Sequence, residues 1–136
     1  MAYVRTQVTI DAGAEEVWSV VSDFASGPVR MAPGFVTSSR AEGGDVREVV
    51  FADGTVVRER LVSSDGESRR IAYAVVGGVD GLAHDNASMT VVPEGEDGCR
   101  LVWSRDVLPD GLAPVMERNM EEGLRVIGRA LGRSRT

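Results

Sequence analysis

Two carboxylates, two guanidiniums and a phenol each alternate with apolar side chains in five stretches of the chain rich in β-branched residues. Arg47 lies within residues 46–52, Glu59 within 55–63, Tyr73 within 69–76, Asp85 within 84–92 and Arg105 within 99–107. Stretches of this composition read as strands. Strand side chains alternate between two faces, so a charge that shares its face with valines and methionines points at the interior. A carboxylate there can take a proton from the carbon next to a carbonyl, and a guanidinium can hold the oxygen on which charge then develops. Asp85 or Glu59 is the candidate base, Arg105 or Arg47 the candidate oxyanion donor, and Tyr73 a candidate proton donor. The same charges have a plainer reading, in which two acids and two arginines neutralise one another around trapped water.

Register decides whether these groups meet, because a slip of one residue turns every side chain to the other face. In the run from Cys99 to Val107, the set Leu101, Trp103, Arg105 and Val107 is less polar than Arg100, Val102, Ser104 and Asp106, so the first set is expected inside. A turn centred on residues 95–97 then sets Ala87 opposite Arg105, with Asp85 diagonal to the guanidinium and Met89 and Val91 on the same face. By the same alternation Arg47, Val49 and Phe51 face inward, as do Val57 and Glu59, and Ile71, Tyr73 and Val75. Met116, Met120, Gly123 and Ile127, flanked by Leu124, form a stripe at helical spacing. The expected site is a cavity with apolar walls, to which Phe51, Trp103 and the methionines contribute, and four convergent charges. Gly123 either leaves room for a ligand or lets the helix sit close to the sheet.

The rest of the chain supplies the frame. Residues 3–10 alternate as a strand, and from Ala14 the spacing of Val17, Val20, Val21 and Phe24 is that of an amphipathic helix. Residues 25–34 read as a loop. A meander follows over 35–41, 46–52, 55–63, 69–76, 84–92 and 99–107, with Asp53-Gly54 and Asp65-Gly66 as hairpin signals. Leu112 to Leu131 forms a long last helix, with Pro114 tolerated near its start. Its acids Glu117, Glu121 and Glu122 precede Arg125, Arg129, Arg133 and Arg135, the order that complements a helix dipole. One α+β domain over residues 1–136 is expected: a curved antiparallel sheet of about seven strands closed by one long helix.

Composition narrows the function. The 136 residues carry a net charge of −6 and no lysine, which argues against a nucleic-acid partner. No uncharged run exceeds nine residues, so no membrane insertion is expected, and a start without a signal-like apolar segment reads as cytoplasmic. A lone His84 and a lone Cys99 offer neither a metal cluster nor a nucleophile with a base, and the short glycine pairs are turns rather than phosphate cradles. Any chemistry is expected to use side chains alone, with no cofactor and no metal.

Ala14-Glu15-Glu16-Val17-Trp18 with Asp23-Phe24, Glu59-Arg60-Leu61, Gly77-Gly78 and Trp103-Ser104, in that order, resemble the helix-grip, START-like superfamily known as SRPBCC. Within it the chain resembles the polyketide cyclase/dehydrase group. The resemblance covers nearly the whole chain and implies a pocket for a hydrophobic small molecule. Residues 76–91 are also similar to the ligand-capping loop and following strand of the plant abscisic-acid receptors, which implies a latch over 77–82, with Leu82 at the ligand, and a lid over 52–55. The carboxylate-binding lysine of those receptors is missing, its place falling near Pro33, and Asp85 stands where they commonly have tyrosine.

Two functions follow. In the first, favoured because acid and base types converge on one cavity, the protein closes or dehydrates a poly-carbonyl intermediate by aldol chemistry. In the second it is a carrier or sensor of a hydrophobic ligand such as a lipid, a quinone or a hormone-like molecule, with Arg47 and Arg105 holding a polar head.

Overall fold

The computed structural model describes residues 1–133; Arg135 lies outside them. Seven strands form one antiparallel sheet in the order β1-β7-β6-β5-β4-β3-β2. They are β1 (Ala2–Ile10), β2 (Val36–Gly43), β3 (Val46–Phe51), β4 (Val56–Asp65), β5 (Arg70–Gly77), β6 (His84–Glu94) and β7 (Gly98–Leu108). Every connection from β2 to β7 is a local hairpin, as expected of a meander, while β1 reaches the far edge to pair with β7. The helices are α1 (Ala14–Val21), α2 (Gly27–Met31) and α3 (Ala113–Leu131), the last preceded by a 3-10 turn at Asp110–Leu112.

Two expectations need correction. The first helix stops at Val21, with Ser22 as its cap, so Phe24 lies beyond it. The stretch 25–34 is not all loop: α2 occupies five of its residues, with Pro28 in the first turn, where the missing N–H costs nothing. So short a helix has no periodicity to read. Gly27 packs against α1 so closely that an added Cβ would lie 2.7 Å from the Val20 carbonyl oxygen.

The helix α3 lies across the concave face and has two halves with different neighbours. Leu124 and Ile127, in its second half, join Ile10, Val17, Val21 and Leu101 in a filled core. Its first half sits over the other end of the sheet, where the facing side chains leave space. Leu101 has no exposed surface and lies between Val8 and Val91 in the sheet register. Leu101→Ala should therefore cost about 3 kcal/mol of stability, the loss typical of a cavity in a rigid core, as read by urea denaturation.

Candidate functional site

The register of β6 and β7 is the one expected: Ala87 pairs with Arg105 and Asp85 with Val107. Asp85 Oδ1 thus lies 3.4 Å from Arg105 Nε, with the Asp85 side chain wholly shielded from solvent. On the next pair of strands Arg47 faces Glu59, and Arg47 Nε donates to Glu59 Oε1 at 2.8 Å. A bulge between β4 and β5 sets Glu59 opposite Val75 and leaves Val76 outside the pairing, so the inward face continues across the irregularity. The four charges do point inward, and they are sorted into two pairs.

The pairs differ in how well they are satisfied. Arg47 also donates to the Phe24 carbonyl at 2.9 Å, and its guanidinium lies over the Phe24 ring at 4.2 Å and the Tyr73 ring at 4.8 Å. That guanidinium is immobilised, and the stretch after α1 is what immobilises it. Arg105 donates to Met116 Sδ at 3.2 Å and to the Tyr73 hydroxyl at 3.3 Å, and stacks over Trp103 at 5.5 Å. Neither oxygen of Asp85 has a hydrogen-bond partner among the described residues, and Arg105 Nε has none either. Buried polar atoms in native proteins are nearly always partnered by protein groups or by ordered water, so water or a polar group of a ligand belongs against these atoms.

Burial raises the Asp85 carboxyl above its ordinary range; Arg105 opposes the rise, and Glu59 adds to it. Tyr73, pushed up to about 12 by burial and then by the Glu59 charge against the pull of Arg105 and Arg47, keeps its proton at neutral pH. Its oxygen accepts the Trp103 indole N–H at 3.0 Å as well as the Arg105 N–H, so one phenol anchors both neighbours.

A cavity of about 480 Å³ opens beneath the first half of α3. Asp85, Glu59, Trp103 and Arg105 line its depth, Phe51, Val57 and Val75 its sheet wall, and Met116 and Met120 its roof. Both expected lid segments reach it, through Ala52, Asp53 and Thr55 on one side and Gly78, Val79 and Asp80 on the other. At Gly78 the backbone has φ +94°, and a Cβ would lie 2.0 Å from the Val56 carbonyl oxygen, so only glycine lets this loop lie against β4.

Some expected lining residues stand elsewhere. Arg47, Val49, Tyr73, Met89 and Gly123 line a side chamber of about 50 Å³ behind the main cavity, with Phe35, Phe51, Glu59 and Trp103 shared between the two. Ala87 and Leu124 are buried in the core without lining either space, and Leu82 is half-exposed in its loop rather than at the cavity. Gly123 proves to be a packing residue, since a Cβ there would lie 3.3 Å from both the Phe35 and Trp103 rings. Phe35, Asn119, Val115 and Leu112 line the cavity although the sequence reading did not single them out. Phe35, expected to begin the strand over 35–41, lies just before β2 and stands edge-on to Phe51 at 5.7 Å.

Other features are plain. Cys99 is buried, and burial followed by the Glu94 and Glu16 charges pushes its thiol up, away from nucleophilic form. No three His, Cys, Asp or Glu side chains among the described residues are placed to hold a metal ion. No helix among them is long and apolar enough to cross a membrane.

The family model described as polyketide cyclase / dehydrase and lipid transport matches residues 1–132. The chain belongs to this family. Among solved structures it is similar to an uncharacterized protein from Bacillus thuringiensis, with a TM-score of 0.83, 23% identity and coverage of 96% of this chain and 98% of the other. It is also similar to norcoclaurine synthase from Thalictrum flavum (TM-score 0.76, 20% identity, 98% and 95% covered). The Zhui aromatase/cyclase from Streptomyces sp. R1128 is a further likeness (TM-score 0.75, 21% identity, 95% and 93% covered). No curated protein matches the sequence. At these identities the structural likenesses establish the helix-grip fold, and the family model establishes membership.

The Arg47–Glu59 pair has side chains only 6% and 8% exposed. Arg47→Met strands the Glu59 carboxylate and should cost about 3–5 kcal/mol, whereas Arg47→Met with Glu59→Leu, which removes both charges, should recover most of that loss. Denaturant midpoints of the single and double variants check this.

Proposed function

We propose that the protein closes or dehydrates a carbonyl-bearing hydrophobic substrate by aldol chemistry in the 480 Å³ cavity. The observation that carries this reading is Asp85: a shielded carboxylate in the cavity wall, both oxygens without a hydrogen bond, beside a guanidinium. Family membership and the likeness to an aromatase/cyclase fold support the same class of chemistry.

In this mechanism a substrate carbonyl lies against Arg105 and its α-carbon against Asp85. The carboxylate takes the α-proton while the Arg105 N–H groups stabilise the oxygen that becomes an enolate. The enolate carbon attacks a second carbonyl of the same molecule, forming the carbon–carbon bond. The new alkoxide takes back the proton from Asp85. Loss of a second α-proton with departure of the hydroxyl as water then gives the enone. Desolvation of Asp85 makes the carboxylate a stronger base than one in water, and the cavity walls hold the chain folded with its two carbonyls close.

Roles divide accordingly. Asp85 and Arg105 are the catalytic residues. Tyr73 is a positioning residue, since it lines the side chamber and holds Trp103 and Arg105 from behind. Arg47 and Glu59 form the inner wall, with the Glu59 carboxylate held by the Arg47 guanidinium.

The test uses heptane-2,6-dione, which closes to a cyclohexenone. Asp85→Asn keeps the shape but removes the proton acceptor, so turnover should fall about 100-fold or more while KM changes little. In the parent protein the rate should rise with pH as Asp85 loses its proton, with a midpoint above the ordinary carboxylate range. That inflection should vanish in the variant. Unchanged turnover in Asp85→Asn excludes Asp85 as the base and moves that role to Glu59, whereas no turnover in the parent with this dione or longer ones favours the carrier or sensor reading.

A further inference from the structure

The walls of the main cavity are unevenly charged. Asp53 and Asp80 stand on the two rim loops and Glu59 and Asp85 deeper, while Arg105 is the one cationic residue lining it among the described residues. Arg47, behind Glu59, adds a second positive charge at the side chamber. Four carboxylates therefore face two guanidiniums, and the excess lies at the rim, where Asp53 and Asp80 have no such counterparts. Arg58, which approaches the Gly77 end of the second loop, is engaged by Glu42 at 3.0 Å. The Thr55 backbone N–H donates to Asp53 Oδ1 at 2.9 Å and holds that carboxyl below its usual range, so it is ionised. The first turn of α3 also reaches the cavity, and its positive end opposes this field with about half a charge, too little to cancel two carboxylates.

The depth of the cavity points the same way. The Asp85 carboxylate, one of the residues lining the cavity, is ion-paired with Arg105 at 3.4 Å and has no hydrogen bond to either oxygen among the described residues. A ligand carboxylate approaching Arg105 would have to approach Asp85 as well, at the cost of like-charge repulsion in a site shielded from water. An uncharged carbonyl bears no such cost, and a cation at the rim gains from Asp53 and Asp80.

Resting on the reading of this cavity as the binding site, we propose that it selects a cationic amphiphile: a hydrophobic molecule whose carbonyl end faces Asp85 and Arg105 and whose protonated amine lies between Asp53 and Asp80 at the rim. Anionic amphiphiles, fatty acids included, are rejected by the same charges.

Three probes of one skeleton test the charge preference: 4-phenylbutylamine, 4-phenylbutan-1-ol and 4-phenylbutanoate, titrated calorimetrically and by tryptophan fluorescence in a Trp18→Phe background that leaves Trp103 in the cavity wall as the reporter. At low salt the amine should bind about tenfold more tightly than the carboxylate, with the alcohol between, and the gap should shrink as salt is added. In the Asp53→Asn/Asp80→Asn double variant, which alters two exposed rim side chains and none of the catalytic ones, the ratio should fall toward one. A carboxylate that binds as tightly as the amine, or a ratio that the double variant leaves unchanged, overturns the proposal while the cavity stands as a binding site. Failure of all three probes to bind overturns both together.

Discussion

Four ionisable side chains are held largely out of water between the sheet and α3, and an isolated charge in such a place costs several kcal/mol. The fold meets that constraint by pairing them across strands: Arg47 with Glu59 on β3 and β4, Asp85 with Arg105 on β6 and β7. Pairing fixes register as strictly as burial does. A shift by one residue in β6 against β7 would carry Asp85 to the solvent face and leave Arg105 alone inside.

The two pairs solve the problem unequally, and the inequality separates structure from chemistry. Arg47 is held by Glu59, the Phe24 carbonyl and two aromatic faces, so this pair is a rigid inner wall. Asp85 and Arg105 lie in contact without a well-formed hydrogen bond between them, and Asp85 has no other partner among the described residues. A carboxylate left in this state is a stronger base and a better acceptor than a saturated one, which is the property that proton abstraction requires.

The helix α3 makes the cavity possible by treating its two halves differently. Its second half fills the space over the sheet with Leu124 and Ile127, which anchors the helix; its first half bridges the gap with Met116 and Met120. Flexible thioethers suit a roof that must adapt to its contents. One of them, Met116, also accepts a hydrogen bond from Arg105, so roof and charged floor are joined. The loops at 52–55 and 78–83 close the remaining side, and their acidic residues give the entrance its sign.

Much of this was legible in the sequence because strand alternation is a strict rule. Once Leu101, Trp103 and Arg105 are set inward, Asp85, Glu59 and Arg47 follow, and the turn after β6 sets Ala87 opposite Arg105. The hairpin glycines, the long amphipathic helix and the family resemblance gave the architecture. Where alternation does not reach, the reading stopped: α2 is too short to show a period, and the Phe24 carbonyl that holds Arg47 is a backbone atom no side-chain pattern reveals; Phe35 falls just before the strand it was expected to begin. Alternation also names a face without dividing it, so it could not say that Val49, Met89 and Gly123 line a side chamber while Val57 and Val75 line the cavity. Which pair of charges is well hydrogen-bonded, and which is not, was decided only by the tertiary structure, because satisfaction depends on distances among Phe24, Tyr73, Trp103 and Met116. Those residues come from four separate parts of the chain.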